Sequence, residues 1–102
     1  MKVYAVTMST EYSSQNVIYI TSTFEEARSY VSEQIKSNLK HAEYNNYTLY
    51  FEEQEIKNAR SGLNYSYPYQ ESKLIYVVEG KVDSESSSMY AYGVLEIELK
   101  HK

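Results

Sequence analysis

Carboxylates are the abundant acid and base groups of this chain, and their densest set is Glu52, Glu53 and Glu55. On an extended strand Glu53 and Glu55 would share a face about 6.6–7 Å apart, inside the range at which an inverting glycosidase holds its two carboxyls. Alternating glutamates also arise wherever a strand has a wet face, as Glu96 and Glu98 do between Leu95, Ile97 and Leu99, so the spacing alone assigns no catalysis. The two histidines, His41 and His101, each lack the second histidine three or four residues away that a zinc site uses. No G-x-S-x-G turn presents a serine. Gly62, Gly80 and Gly93 lie too far apart for a phosphate-binding loop or a dinucleotide fingerprint. Cysteine is absent, which removes thiolate chemistry, disulfides and cysteine-ligated metal, and fits a reducing compartment. The sequence therefore predicts a protein that is not an enzyme, with no catalytic residue, metal or cofactor.

Contact is better provided for than catalysis. Thirteen of the 102 residues are tyrosine, whereas valine, isoleucine, leucine and phenylalanine together supply only 22. So thin an aliphatic core requires some tyrosines to be structural, each burying about 150–250 Å² if its hydroxyl finds a partner or stays at a wet edge. Tyr65, Tyr67 and Tyr69 alternate in a Ser/Asn/Gln background interrupted by Pro68, the composition that binding loops use to gain contact area at low side-chain entropy cost. Extended, the three rings point one way. They form either an aromatic docking surface or a cover over an open part of the core.

The elements that must position these groups follow from periodicity. Lys2–Met8 and Val17–Ile20 read as strands joined by a polar loop. Thr23-Phe24-Glu25-Glu26 matches a capping box, with two acidic residues at the positive end of a helix dipole. Phe24, Ala27, Val31, Ile35 and Leu39 then recur as one apolar stripe with Tyr30 beside it. Glu25, Arg28, Ser29, Ser32, Glu33 and Lys36 fall on the opposite, solvated face. Asn45-Asn46 ends this pattern, a third strand is expected from Tyr47 to about Ile56, and residues 61–72 read as a loop. Leu74–Val82 and Met89–Lys100 supply two more strands around a serine-rich turn. The prediction is a single α+β domain over residues 1–102, a mainly antiparallel sheet of about five strands with one amphipathic helix, in the order ββαβββ.

Aspartate and glutamate outnumber lysine and arginine 14 to 10, for a net charge of −4. The basic residues are scattered singly, against direct binding of a nucleic-acid backbone. No apolar run has the length of a membrane span, and the opening residues lead directly into a strand pattern, so a cytoplasmic protein is expected. Free strand edges would permit a homodimer.

Lys2-Val3-Tyr4-Ala5-Val6-Thr7, Glu11-Tyr12-Ser13 and Thr21 through Arg28, followed by Tyr50-Phe51-Glu52-Glu53-Gln54-Glu55-Ile56, resemble the first half of small proteins of unknown function encoded by phages and prophages of Gram-positive bacteria. That resemblance, over roughly the first 56 residues, brings no catalytic residues with it. It implies an accessory protein of a mobile element in a bacterial host, binding and modulating a host protein, for example as an inhibitor of a defence system. Tyr65, Tyr67 and Tyr69 are the partner-binding residues the sequence nominates, with Glu52, Glu53 and Glu55 as electrostatic support. A small-ligand pocket lined by tyrosine and glutamate, or a self-assembling structural protein, are the alternatives.

Overall fold

Among the described residues, runs of β-branched and aromatic residues become five strands, and the stretch with a three- and four-residue apolar repeat becomes one helix. The computed structural model describes residues 1–10, 13–56, 72–82 and 88–99. The strands are β1 (Lys2–Thr10), β2 (Ser13–Thr21), β3 (Tyr50–Glu53), β4 (Ser72–Lys81) and β5 (Tyr90–Glu98), with helix α1 (Phe24–Tyr44) between β2 and β3. They form one antiparallel sheet in the order β2-β1-β5-β4-β3. This is the expected α+β architecture, with β2 and β3 as its two edges.

Thr23 is the N-cap of α1: its backbone is extended (φ −130°, ψ 150°) and its hydroxyl accepts from the Glu26 N–H at 3.2 Å. The Glu26 carboxylate turns to the Thr21 hydroxyl, which donates to it at 2.5 Å. One half of the capping box therefore forms, and the other half is spent tying the helix start to the end of β2. The C-terminus closes as a Schellman motif, with the Asn46 N–H donating to the Glu43 carbonyl and the Tyr47 N–H to the Ala42 carbonyl at 3.2 and 3.0 Å. Asn46 takes the left-handed conformation this needs, at φ 61°, one that asparagine tolerates better than most residues. The helix runs past the expected stripe: Leu39 is 41% exposed and Ala42 is buried in its place. His41 accordingly lies in the last helical turn.

Both faces of the sheet are dry at its centre. Toward α1, Val6, Tyr92 and Val94 pack on Ala27 and Val31, with Tyr4, Phe24, Phe51, Tyr76 and Tyr90 around them. Rings fill what aliphatic residues do not: Phe24 lies 6.2 Å from Tyr4 and 6.0 Å from Tyr76, and Phe51 lies 6.3 Å from both Tyr90 and Tyr92. On the face turned away from α1, Ala5, Leu74, Val77, Ala91, Leu95 and Ile97 form a second cluster. The alternation of Leu95 and Ile97 with glutamates therefore marks this second face. Glu96 lies on the helix side, where it meets the Tyr4 hydroxyl and the Lys2 ammonium, each at 3.4 Å. No helix among the described residues is long and apolar enough to cross a membrane.

Candidate functional site

Of the residues nominated from sequence, Tyr65, Tyr67 and Tyr69 lie outside the described residues. Glu52, Glu53 and Glu55 are exposed, with Glu52 and Glu53 on β3 and Glu55 beyond its end. β3 ends at Glu53, short of the expected Ile56, so Glu53 and Glu55 do not share a strand face. Glu53 is on the helix side, 3.3 Å from the Arg28 guanidinium. Glu52 faces the other way, opposite Glu79 of β4. Glu79 is buried, with the Ser88 hydroxyl donating to its carboxylate.

A different set of groups converges at the other edge of the sheet. Tyr19 of β2 and Tyr30 of α1 stack face to face, with centroids 4.2 Å apart and planes 4° from parallel. Together with Glu25, Glu26, Ser29 and Glu33 they line an open groove of about 370 Å³ between the helix flank and the strand edge. The stack exists because β2 is irregular. Residues two apart on a strand normally share a face, yet Val17 pairs with Thr7 and packs in the far cluster, whereas Tyr19 pairs with Val6 on the helix side. A bulge at Ile18 changes the phase between them and aims Tyr19 at Tyr30. On the helix, Glu25, Ser29 and Glu33 follow at four-residue steps, which places them in a row along one flank.

The groove's charge is one-signed, because three of its lining residues are glutamates and none is basic. Glu26 is held by Thr21. Glu33 pairs with Lys36 at 3.4 Å on an exposed part of the helix, a contact worth about 0.2–1 kcal/mol and readily exchanged. Glu25 makes no ion pair among the described residues. The other flank of α1 carries the complete form of this arrangement. There the Arg28 guanidinium sits 5.4 Å from the centre of the Tyr76 ring and 3.3 Å from Glu53. Burial, and then Glu53, push the Tyr76 phenol above its ordinary value, and Arg28 partly offsets them. Among the described residues the β2 flank presents aromatic faces and carboxylates with no basic side chain in the groove lining, Lys36 meeting Glu33 at its rim. Such a surface takes up ammonium or guanidinium groups.

Along the sequence these groove residues read as a solvated helix face plus a tyrosine beside the stripe. Two signals could have singled them out: glutamates eight residues apart with a serine between, and a tyrosine next to that row. What the sequence does not announce is the bulge that brings Tyr19 to them. Among the described residues, no three His, Cys, Asp or Glu side chains gather as metal ligands would. Scanned against family models, the chain matches none, and neither curated proteins nor solved structures yield a match.

Proposed function

We propose that this is a small binding protein, carried by a phage or other mobile element, that acts in the bacterial cytoplasm by occupying a basic surface of a host protein and so modulating it, as an inhibitor of a defence component would. The observation that carries the reading is the stacked Tyr19–Tyr30 pair set in an open groove rimmed by Glu25, Glu26 and Glu33. Aromatic faces beside carboxylates are what a lysine or arginine side chain needs from its partner. The contact of Arg28 with Tyr76 and Glu53 supports the same chemistry from within this fold. The mobile-element setting rests on the resemblance of the first 56 residues and is part of the proposal. Tyr65, Tyr67 and Tyr69 remain a second candidate contact.

The test begins with the protein immobilised against lysate of a Gram-positive host, followed by measurement of the dissociation constant for each retained protein. A cation over a tyrosine ring contributes about 0.5–1 kcal/mol when exposed and about 2 when dry. Replacing Tyr19 and Tyr30 together by alanine should therefore weaken the complex about tenfold or more, with the far-ultraviolet circular dichroism unchanged. A partner that binds the double variant as tightly as the parent refutes the groove as the binding surface. Alanine at Tyr65, Tyr67 and Tyr69 then reports whether that segment carries the contact.

A further inference from the structure

The geometry points to a partner held as an added strand: a basic, extended segment that pairs with the outer edge of β2 and places lysine or arginine side chains under the acidic flank of α1. This rests on the binding reading above and adds the backbone to it. A sheet edge presents a row of N–H and C=O groups able to pair with another chain. The two edges here are not equivalent. β3 has four residues, two of them Glu52 and Glu53, and short charged strands resist pairing. β2 has nine residues without a single charge, and its second half, Val17-Ile18-Tyr19-Ile20-Thr21, is β-branched or aromatic throughout. Among the described residues no strand other than β1 pairs with this second half. Ile20 is 54% exposed and Tyr19 is 37% exposed.

The occupant's chemistry follows from what overhangs this edge. The chain reverses at Ser22-Thr23, so α1 runs back along β2. The Thr21–Glu26 hydrogen bond and the Tyr19–Tyr30 stack fix which levels coincide. Glu25 therefore stands near Thr21, and Glu33 farther back toward Val17. Eight helical residues separate Glu25 from Glu33, or about 12 Å of helix. On an extended strand, residues four apart are about 13 Å apart and point the same way. A segment with basic residues at i and i+4 thus meets both glutamates, and its residue i+2 lies by Ser29 and the Tyr30 ring.

A second copy of this chain fits the edge poorly. Its β2 would bring no cation, and symmetric pairing would set two rows of Glu25, Glu26 and Glu33 near each other. The bulge at Ile18 also limits open-ended stacking of sheets, which suits capture of one short strand.

The probe is the end-blocked, dye-labelled peptide Thr-Lys-Thr-Val-Thr-Lys-Thr, read by fluorescence anisotropy against the full chain. Two versions carry N-methyl groups on alternate residues, one set in each phase. A third moves the second lysine one position, onto the opposite face of the strand. The parent peptide should bind about tenfold tighter than the shifted one, and one N-methyl phase should lose binding about tenfold while the other keeps it. Glu25→Gln with Glu33→Gln should also cost about tenfold, with circular dichroism unchanged. If both N-methyl phases bind like the parent while the glutamine variant loses binding, strand addition is refuted and the groove reading stands. If the parent peptide does not bind, or binds the glutamine variant equally well, both fall. A dimer in sedimentation that Ile20→Lys converts to monomer would assign the edge to a second copy and overturn the proposal.

Discussion

Replacing Tyr92 by phenylalanine separates a buried hydroxyl from the ring that carries it. Tyr92 is 1% exposed at the centre of the helix-side cluster, and its hydroxyl donates to the Asn38 side chain of α1 at 2.5 Å. The substitution keeps the ring and its packing on Phe51. It removes one hydrogen bond whose acceptor, on half-buried Asn38, can turn to water. The loss at neutral pH is about 1 kcal/mol, which lowers the melting temperature of a domain of this size by about 4–8 °C. The same hydroxyl fixes a pH dependence. Burial pushes the Tyr92 phenol up to about 12, neighbouring Tyr90 adds to this, and the bond to Asn38 works against it. An unfolded tyrosine ionises near about 10. Between these values the unfolded chain releases a proton that the folded chain keeps, so stability falls as pH rises. The contribution is intact below about pH 10, is reduced by about 1.4 kcal/mol at pH 11, and has lost up to about 2.7 kcal/mol well above pH 12. Phenylalanine has no proton to lose. The parent should therefore be the more stable protein at pH 8 and the less stable one above a crossing near about pH 10.7. Urea titrations followed by circular dichroism from pH 8 to 11 measure both curves. A gap between them that stays constant would mean that the Tyr92 hydroxyl titrates as freely as in water, and the burial argument would fail.

Gly80→Ala tests the other side of the same ring cluster. A β-carbon at Gly80 would lie 2.6 and 2.8 Å from carbons of the Phe51 ring, which Tyr90 and Tyr92 hold in place. Thermal melting should show a loss of about 1–3 kcal/mol, largely recovered when Phe51→Leu is combined with it. Thr23→Ala removes the hydroxyl that accepts from the Glu26 N–H and should cost about 1 kcal/mol by urea titration. A Thr23→Ala protein as stable as the parent would show that the Thr21–Glu26 bond alone fixes the helix start.

The parts of the fold visible in the sequence are those whose determinants are local. Thr23 and the acidic turn after it mark the start of α1, and Asn45-Asn46 marks its end through a backbone conformation that few residues accept. Strand existence is equally local, because Leu74–Val82 and Met89–Lys100 announce themselves by composition. What depends on neighbours is hidden. β3 stops at Glu53, the last residue of its ladder, opposite Val78, and beyond it the Gln54 N–H still reaches the Val77 carbonyl at 3.0 Å. That β5 is buried on both faces follows from its central place between β1 and β4. The continuous Ala91-Tyr92-Gly93-Val94-Leu95 run does carry this signal. The candidate groove was least legible, since it depends on which flank of α1 overhangs β2 and on one unpaired residue in a ladder.

That residue aims Tyr19 into the groove, whose other members also have structural roles. Glu25 and Glu26 suit the positive end of the helix, and Glu33 pairs with Lys36. The bulge at Ile18 has a structural role as well, since it lets Ile18 pack on the helix-side cluster while Val17 packs on the far one. A regular run through Ile18 would keep Val17 and Tyr19 on one face and remove one of the two register shifts between β1 and β2. The bulge interrupts the ladder and leaves a tyrosine with one ring face stacked on Tyr30. Bulges that re-aim a side chain tend to sit at sheet edges and beside functional sites. Here the re-aimed ring lies on the longer, uncharged edge and under the flank of α1 that carries Glu25, Glu26 and Glu33. On the opposite flank Arg28 already fills the equivalent place between Tyr76 and Glu53, whereas among the described residues no basic side chain lines the groove beside Tyr19 and Tyr30.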